Sequence, residues 1–352
     1  MIKYSKSLND ISTIKHDFLI NDKSLTESAQ RINEEYKKQP VRSNCKICGH
    51  KLPLRHDIMN NDIGYIICPK CHHLNGAYSE TKEFHEFVYL DSNKNNPNIY
   101  IDQYNKRLEA IYNPKADFLI ESLKSIGRTD ITVADFGCGS GHLVNSLLHR
   151  EVHAIGYDIS SQSIDTARKA FQALHDTGYE ASKLHFRLTA SVDDLIHRIE
   201  VNSHNVSSFI GVLEHLPCPV RAIESFHKSD SEFIYFSVPL LSLSVVLENI
   251  FKDSFSRHLN ADHTHLFTDR SIDYLLNSYD IQIVSKWYFG MDSLDLRRLL
   301  VLELLKNKVS DNMLNLFQES LFSTNVMNGI QEVIDQSHAC SEVHIVGMKS
   351  QH

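Results

Sequence analysis

The most constraining feature is the run Val133-Ala134-Asp135-Phe136-Gly137-Cys138-Gly139-Ser140-Gly141-His142. An apolar β-type segment enters three closely spaced glycines and leaves them in the helical pattern Leu143, Val144, Leu147 and Leu148. Glycines at such a turn let the main chain bend sharply and bring its N–H groups against a bound molecule, because no Cβ stands in the way. A strand, a glycine turn and a helix in that order commit the surrounding chain to an α/β sheet with its ligand at the carboxyl end of a strand.

The texture downstream agrees. From Ile131 onward, short β-branched runs alternate with helical patterns of about ten to fifteen residues, the mark of a sheet with crossover helices. Strands are expected at Ile131–Phe136, Val152–Tyr157, Leu184–Leu188, Ser208–Val212, Phe233–Val238, Ile281–Tyr288 and Glu342–Met348, forming one seven-stranded, doubly wound, Rossmann-like α/β sheet. After the second strand, Ser160 or Ser161 can cap a helix with Ile164, Ala167, Phe171 and Leu174 on one face. The run Leu294–Leu305 and the pattern Met313, Leu314, Phe317 and Leu321 predict a helical insertion over about 291–338, ahead of the last strand.

Four segments are expected. Residues 1–40 read as a helical extension, with weak periodicity at Ile14, Phe18 and Leu19 and a cap at Ser24. Residues 41–80 read as a cysteine module, residues 81–128 as a helical connector broken at Asn95-Asn96-Pro97 and Asn113-Pro114, and residues 129–352 as the sheet domain. Four of the seven cysteines fall as Cys45-x2-Cys48-x19-Cys68-x2-Cys71, with a strand through Ile63, Tyr65 and Ile67 running into the second pair. Four thiolates at this spacing suit a tetrahedral zinc ion with no open position, hence a structural Zn2+. The other reading is a dithiol redox pair or unconnected buried thiols. Cys138, Cys218 and Cys340 follow no pairing logic.

Lysine and arginine total 36 against 44 acidic residues, a net charge of −8. That balance offers no general attraction to a phosphate backbone or an anionic membrane, so nucleic acid is not an expected partner. No apolar run is long enough to span a bilayer, and the opening MIKYSKSLND lacks an apolar signal region, so a cytoplasmic protein is expected.

The glycine run departs from the dinucleotide fingerprint, which needs glycine where His142 stands. An acidic Asp135 two residues before the first glycine is poorly placed beside phosphates but suits a ligand with ammonium and sulfonium charges, as in S-adenosylmethionine. Gly156-Tyr157-Asp158 ends the second strand, where a carboxylate can accept hydrogen bonds from vicinal ribose hydroxyls. The fourth strand ends in Ser208-Phe209-Ile210-Gly211-Val212-Leu213-Glu214-His215-Leu216-Pro217.

Together these motifs resemble class I S-adenosylmethionine-dependent methyltransferases over roughly residues 130–290. The resemblance implies that Asp135, Gly137, Gly139 and Gly141 line the methionine end of the cofactor, that Asp158 holds the ribose and that Gly211 lies at the pocket floor. It departs from the family at Thr189-Ala190-Ser191-Val192, where an acidic adenine-recognising residue is frequent, leaving adenine to the backbone or Ser191. It departs again at Ser207-Ser208, in place of Phe-Asp. The segment Asp262-His263-Thr264-His265-Leu266-Phe267-Thr268 is similar to a His-x-x-x-Phe element that lies near the acceptor in small-molecule methyltransferases.

His215 is therefore expected as a general base oriented by Glu214, with His263 or His265 as alternates. The competing reading gives Glu214 a loop hydrogen bond and the three histidines packing roles. Tyr100 and Tyr104 with Arg107 either close over the cofactor, the arginine reaching its carboxylate, or pack a lead-in helix on the sheet. His142 is expected at a helix start and not as a base.

A four-cysteine module ahead of such a core is similar to sugar methyltransferases of antibiotic and cell-surface polysaccharide pathways, deoxysugar C-methyltransferases being the nearest group. The resemblance implies a sugar or nucleotide-sugar acceptor. Those enzymes continue into a further Rossmann-like domain, whereas this sequence stops shortly after His344-Ile345-Val346-Gly347-Met348, so a hydroxyl is expected to take the methyl. The alternatives are C- or N-methylation of another metabolite, or a zinc-containing binding module on a degenerate methyltransferase fold.

Overall fold

A computed structural model describes residues 1–9, 14, 21–89, 103–260 and 263–350. The expected features at Phe18, Leu19, Asn95-Asn96-Pro97, Tyr100 and Asp262 lie outside them. In chain order the strands are β1 (Ile2–Tyr4), β2 (Ile58–Asn60), β3 (Ile63–Ile67), β4 (Leu74–Gly76), β5 (Thr132–Phe136), β6 (His153–Asp158), β7 (Phe186–Leu188), β8 (Val206–Ile210), β9 (Phe233–Pro239), β10 (His265–Leu266), β11 (Ile281–Phe289) and β12 (Glu342–Lys349).

The main sheet runs β1-β11-β12-β9-β8-β5-β6-β7. Each of the seven expected runs supplies a strand, but the sheet has eight, and it is mixed. β12 lies antiparallel to both β9 and β11. The eighth strand, β1, comes from the segment expected as helix and pairs in parallel with β11, covering an edge whose N–H and C=O groups would otherwise face water. Three residues are too few to show a period of two, which is why the sequence did not announce it.

Alternation along the strands sorts the core to both faces. Ala134 and Phe136 pack with Ile155, Phe209, Phe236 and Ile345 on one side. Val133 packs with Ala154, Tyr235, Trp287 and Val346 on the other. The helix Ser161–His175 is capped by Ser160, whose hydroxyl accepts from Ser163 N at 3.2 Å. It buries Ile164, Ala167 and Phe171. The first long helix, Asp22–Lys37, starts ahead of the expected cap: Asn21 is its N-cap, and Ser24 lies inside the first turn. The insertion folds as the helices Asp292–Lys306, Asp311–Leu316 and Thr324–Gln336.

The cysteine segment forms a second sheet, β10-β4-β3-β2, closed by β10 from far along the chain. β3 runs directly into Cys68, as the alternation of Ile63, Tyr65 and Ile67 predicts. The cysteines share one apolar cluster with Phe136, Phe209 and Leu213, so this segment is packed into the main core. Lys46, between the first two cysteines, reaches the site-bearing loop. Its ammonium donates to Glu80 Oε1 at 2.6 Å, Thr264 Oγ1 at 3.2 Å and the Leu216 carbonyl at 3.3 Å.

Candidate active site

Strand order reverses at β5, which pairs with β6 on one side and β8 on the other. Such a switch point opens a crevice beyond the carboxyl ends of the strands. The glycine loop turns into it. Gly137 has φ +79°, and a Cβ there would meet Val212 Cγ2 at 2.6 Å. Gly137 N and Cys138 N donate to the Tyr157 carbonyl at 2.7 and 3.0 Å, tying the loop to β6. Gly141, at φ +76°, begins the helix His142–Leu148 where a Cβ would strike Phe186 and Ala167.

The crevice has two lobes sharing Gly137 and Ser163. The first, about 210 Å³, is bounded by Arg107, Tyr112, Asp135, Gly139 and Gln162. The second, about 220 Å³, is bounded by His85, Asp158, Val192, Leu195, Gly211 and His215.

Asp135 is 3% exposed, and among the described residues its Oδ1 has no hydrogen-bond partner. Burial pushes its carboxyl up to about 7, opposed by the Ser208 hydroxyl on the neighbouring strand. A buried acid with an unused oxygen, on the wall of a cavity, is placed to receive a cation. Asp158 is partly engaged: Oδ2 accepts from Gly139 N and Oδ1 from Ser160 N, each at 2.8 Å. A carboxylate has roughly four lone-pair positions, so acceptor capacity remains for a ribose hydroxyl.

His142 is sandwiched between Tyr104 and Tyr112, with ring centroids 3.9 and 4.7 Å away. Burial, then the Arg107 charge, lower it to about 3, so it is a neutral plate at neutral pH. Tyr104 braces the loop and is not a wall of either lobe: its hydroxyl donates to the Ser140 carbonyl at 3.1 Å and accepts from Asn145 Nδ2 at 2.7 Å. Tyr112 belongs to the π-helical turn Leu108–Tyr112. Ser191 borders a third hollow with Ala190, and its hydroxyl accepts from Asp194 N as a helix cap.

On the second lobe's side, single donor atoms of Glu214, His215 and His263 all lie within 4.8 Å of one another. The His215 and His263 rings are 4.9 Å apart. Glu214 is 5% exposed, and burial raises its carboxyl. His263 is held well below its usual value, by burial first and then by neighbouring positive groups. Glu214 Oε2 and His263 Nδ1 are buried without hydrogen-bond partners among the described residues. His265 is elsewhere: it is fully buried in β10, with Nδ1 2.8 Å from His73 Nε2, and it borders neither lobe. The sequence reading missed Tyr112, Gln162, Ser163, Thr166 and His85. Ser163 and Thr166 could have been found from their place in the first turns of the helix after β6.

The four cysteine sulfurs also lie within 4.8 Å of one another, with Cys45–Cys71 and Cys48–Cys68 at 3.5 Å. Zinc–sulfur bonds of about 2.3 Å in a tetrahedron put sulfurs roughly 3.7 Å apart. Both pairs sit in the same turn: Cys45 N donates to the His50 carbonyl and Cys68 N to the His73 carbonyl, each at 2.9 Å. Gly49 and His72, directly after the second cysteine of each pair, take positive φ. The donor set fits a closed zinc site.

A methyltransferase-domain family model matches residues 104–286, just over half of the chain. The chain belongs to that family. This methyltransferase also overlaps solved structures loosely. A plantazolicin methyltransferase in complex with a triazolic desmethylPZN analogue and S-adenosylhomocysteine (SAH) is 14% identical, with 76% of this chain and 94% of that one covered at a TM-score of 0.45. A magnesium protoporphyrin IX methyltransferase from Synechocystis PCC 6803 with bound SAH is 12% identical, with 75% and 92% covered at 0.40. No curated protein matches the sequence significantly. No helix among the described residues is long and apolar enough to cross a membrane.

Proposed function

We propose that this methyltransferase moves a methyl group from S-adenosylmethionine to a hydroxyl of a small sugar or nucleotide sugar. The observation that carries the reading is Asp135, a buried acid on the wall of the glycine-loop cavity with one oxygen unpartnered among the described residues, which calls for a cationic ligand. When bound, S-adenosylmethionine supplies an electrophilic methyl group on a sulfonium sulfur.

The chain's own residues do the rest. Asp135 takes the ammonium, Arg107 the carboxylate and Asp158 the ribose, while Val192, Leu195 and Gly211 bound the adenine side. Ser191 still has one O–H to donate beside that lobe. Holding acceptor, methyl and sulfur in line is worth up to roughly 7–11 kcal/mol of barrier. Removing the acceptor's proton falls to Glu214, His215 and His263, of which His215 borders the lobe. The four cysteines hold a structural zinc that keeps the Lys46 contact to Leu216 in place. The sugar preference is supported by the four-cysteine arrangement that the sequence shares with sugar methyltransferases.

The test is calorimetric titration with S-adenosylmethionine, followed by mass spectrometry of nucleotide sugars incubated with enzyme and donor. Binding at one site and a gain of one methyl group are expected. Absence of donor binding overturns the reading, and methylation only of non-sugar metabolites overturns its acceptor.

A further inference from the structure

Glu214, His215 and His263 come from two separate loops, one after β8 and one before β10, yet their donor atoms converge within 4.8 Å. Glu214 Oε2 and His263 Nδ1 are buried without hydrogen-bond partners among the described residues, a costly arrangement for polar atoms and more so for a charged acid. Unsatisfied atoms on two side chains whose donor atoms converge within 4.8 Å point to a ligand that accepts lone pairs from both. A hydroxyl satisfies only one such acceptor, because it has a single proton to donate. A cation satisfies both, with His215 close enough to join as a third ligand.

Resting on the methyl-transfer reading, we infer that Glu214, His215 and His263 bind a divalent first-row cation that seats a vicinal diol of the acceptor. Two imidazoles and one carboxylate suit ions of the manganese-to-zinc series. Three protein ligands leave open positions on a six-coordinate ion, enough for two adjacent acceptor oxygens. The site lies on the lobe wall at His215, and Glu214 Oε1 is 3.7 Å from where a Cβ on Gly211 would stand, so the ion sits beside the donor pocket. A cation there lowers the hydroxyl's pKa, as it does for bound water. With the three side chains on the ion, none of them is a free base, and the cation takes over the deprotonating role assigned to them above: the proton leaves to solvent, the S–CH3 bond breaks as the O–CH3 bond forms, and the donor's positive charge departs with that proton.

This site differs in kind from the cysteine cluster, whose soft thiolates select zinc and reject manganese. Mn2+ is therefore the probe. The dialysed full-length chain, without donor, is titrated with Mn2+ and free ion is read by electron paramagnetic resonance. Wild type is expected to take up one Mn2+, and Glu214→Gln and His263→Gln are expected to weaken it on the order of 100-fold. Both variants should still bind S-adenosylmethionine, which shows that they are folded. Adding a vicinal-diol sugar should change the bound Mn2+ spectrum, and its monodeoxy analogue should not. No Mn2+ uptake by wild type, or equal uptake by both variants, overturns the inference. A spectrum indifferent to the diol overturns the acceptor assignment. The methyl-transfer reading is scored separately by donor calorimetry on wild type, which needs no metal.

Discussion

Among the described residues, two clusters of metal-capable side chains stand out, and they are built in opposite ways. The four cysteines sit in two matching backbone turns, each turn contributing two cysteines from one short local motif, and they are packed in the main apolar core. Glu214, His215 and His263 are brought together across 48 residues by the fold, with two polar atoms unsatisfied and one side chain on a cavity wall. A closed donor set saturates its ion and stabilises structure, whereas an open one keeps positions for chemistry. Substitution in the first should cost the fold, and in the second should cost only turnover.

The largest effect is expected from Cys68→Ser. Zinc content should fall from one per chain to none, and the chain should lose more than about 4 kcal/mol in urea unfolding, because the cluster is continuous with Phe136 and Phe209. Retention of wild-type stability without zinc would erase the contrast between the two clusters. Next in size is His215→Asn, expected to lower kcat by about 10²–10⁴ with the donor Kd within twofold of wild type. Equal loss of both would make His215 a packing residue of the donor pocket.

What the sequence disclosed divides along the same line. The glycine run, Asp158 and the cysteine spacing are local patterns whose geometry follows from a few neighbouring residues, and the structure places Asp135, Gly137, Gly139, Asp158, Gly211 and Arg107 on the crevice. His263 and His265 stand two residues apart in the same motif, so sequence treats them alike. β10 alternates its side chains, yet only the fold decides that His265 enters the interior beside His73 while His263 remains near His215. The edge strand β1 was hidden by its length, and His85 by having no motif at all. Long-range pairing, such as β4 with β10, leaves no local mark.

Asp135→Asn is expected to weaken donor binding by roughly 10–100-fold, the usual worth of a hydrogen bond to a charged group. The pH dependence has a definite sign. The folded carboxyl sits near 7 against 3.8 for the free group, so the folded chain holds more protons than the unfolded one between those values, and stability falls as pH rises through that window. Asp135→Asn should therefore be more stable than wild type above pH 7, by about 1–3 kcal/mol. Donor affinity of wild type should fall below pH 7, where the acid is protonated, and binding near pH 7 should release a proton. Calorimetry in buffers of different ionisation enthalpy reads that proton, and its absence would remove Asp135 from the cation site.

The smallest effect tests whether Ser191 belongs to the donor pocket or only to its scaffold. Its hydroxyl accepts from Asp194 N at 3.2 Å, and the reciprocal bond from Ala190 N to Asp194 Oδ2, at 2.9 Å, would survive its removal. Ser191→Ala should therefore cost about 0.5–1 kcal/mol, the low end of a helix-cap deletion. If the hydroxyl serves the cap alone, the donor Kd should move less than about threefold, because Val192 and Leu195 keep their places on the lobe wall. A loss of tenfold or more at unchanged stability would instead give the serine a direct bond to adenine, and with it the role that an acidic side chain fills in relatives with the usual motif. Thermal unfolding and donor calorimetry on one preparation separate the two outcomes, since a cap moves the first reading and a ligand contact the second.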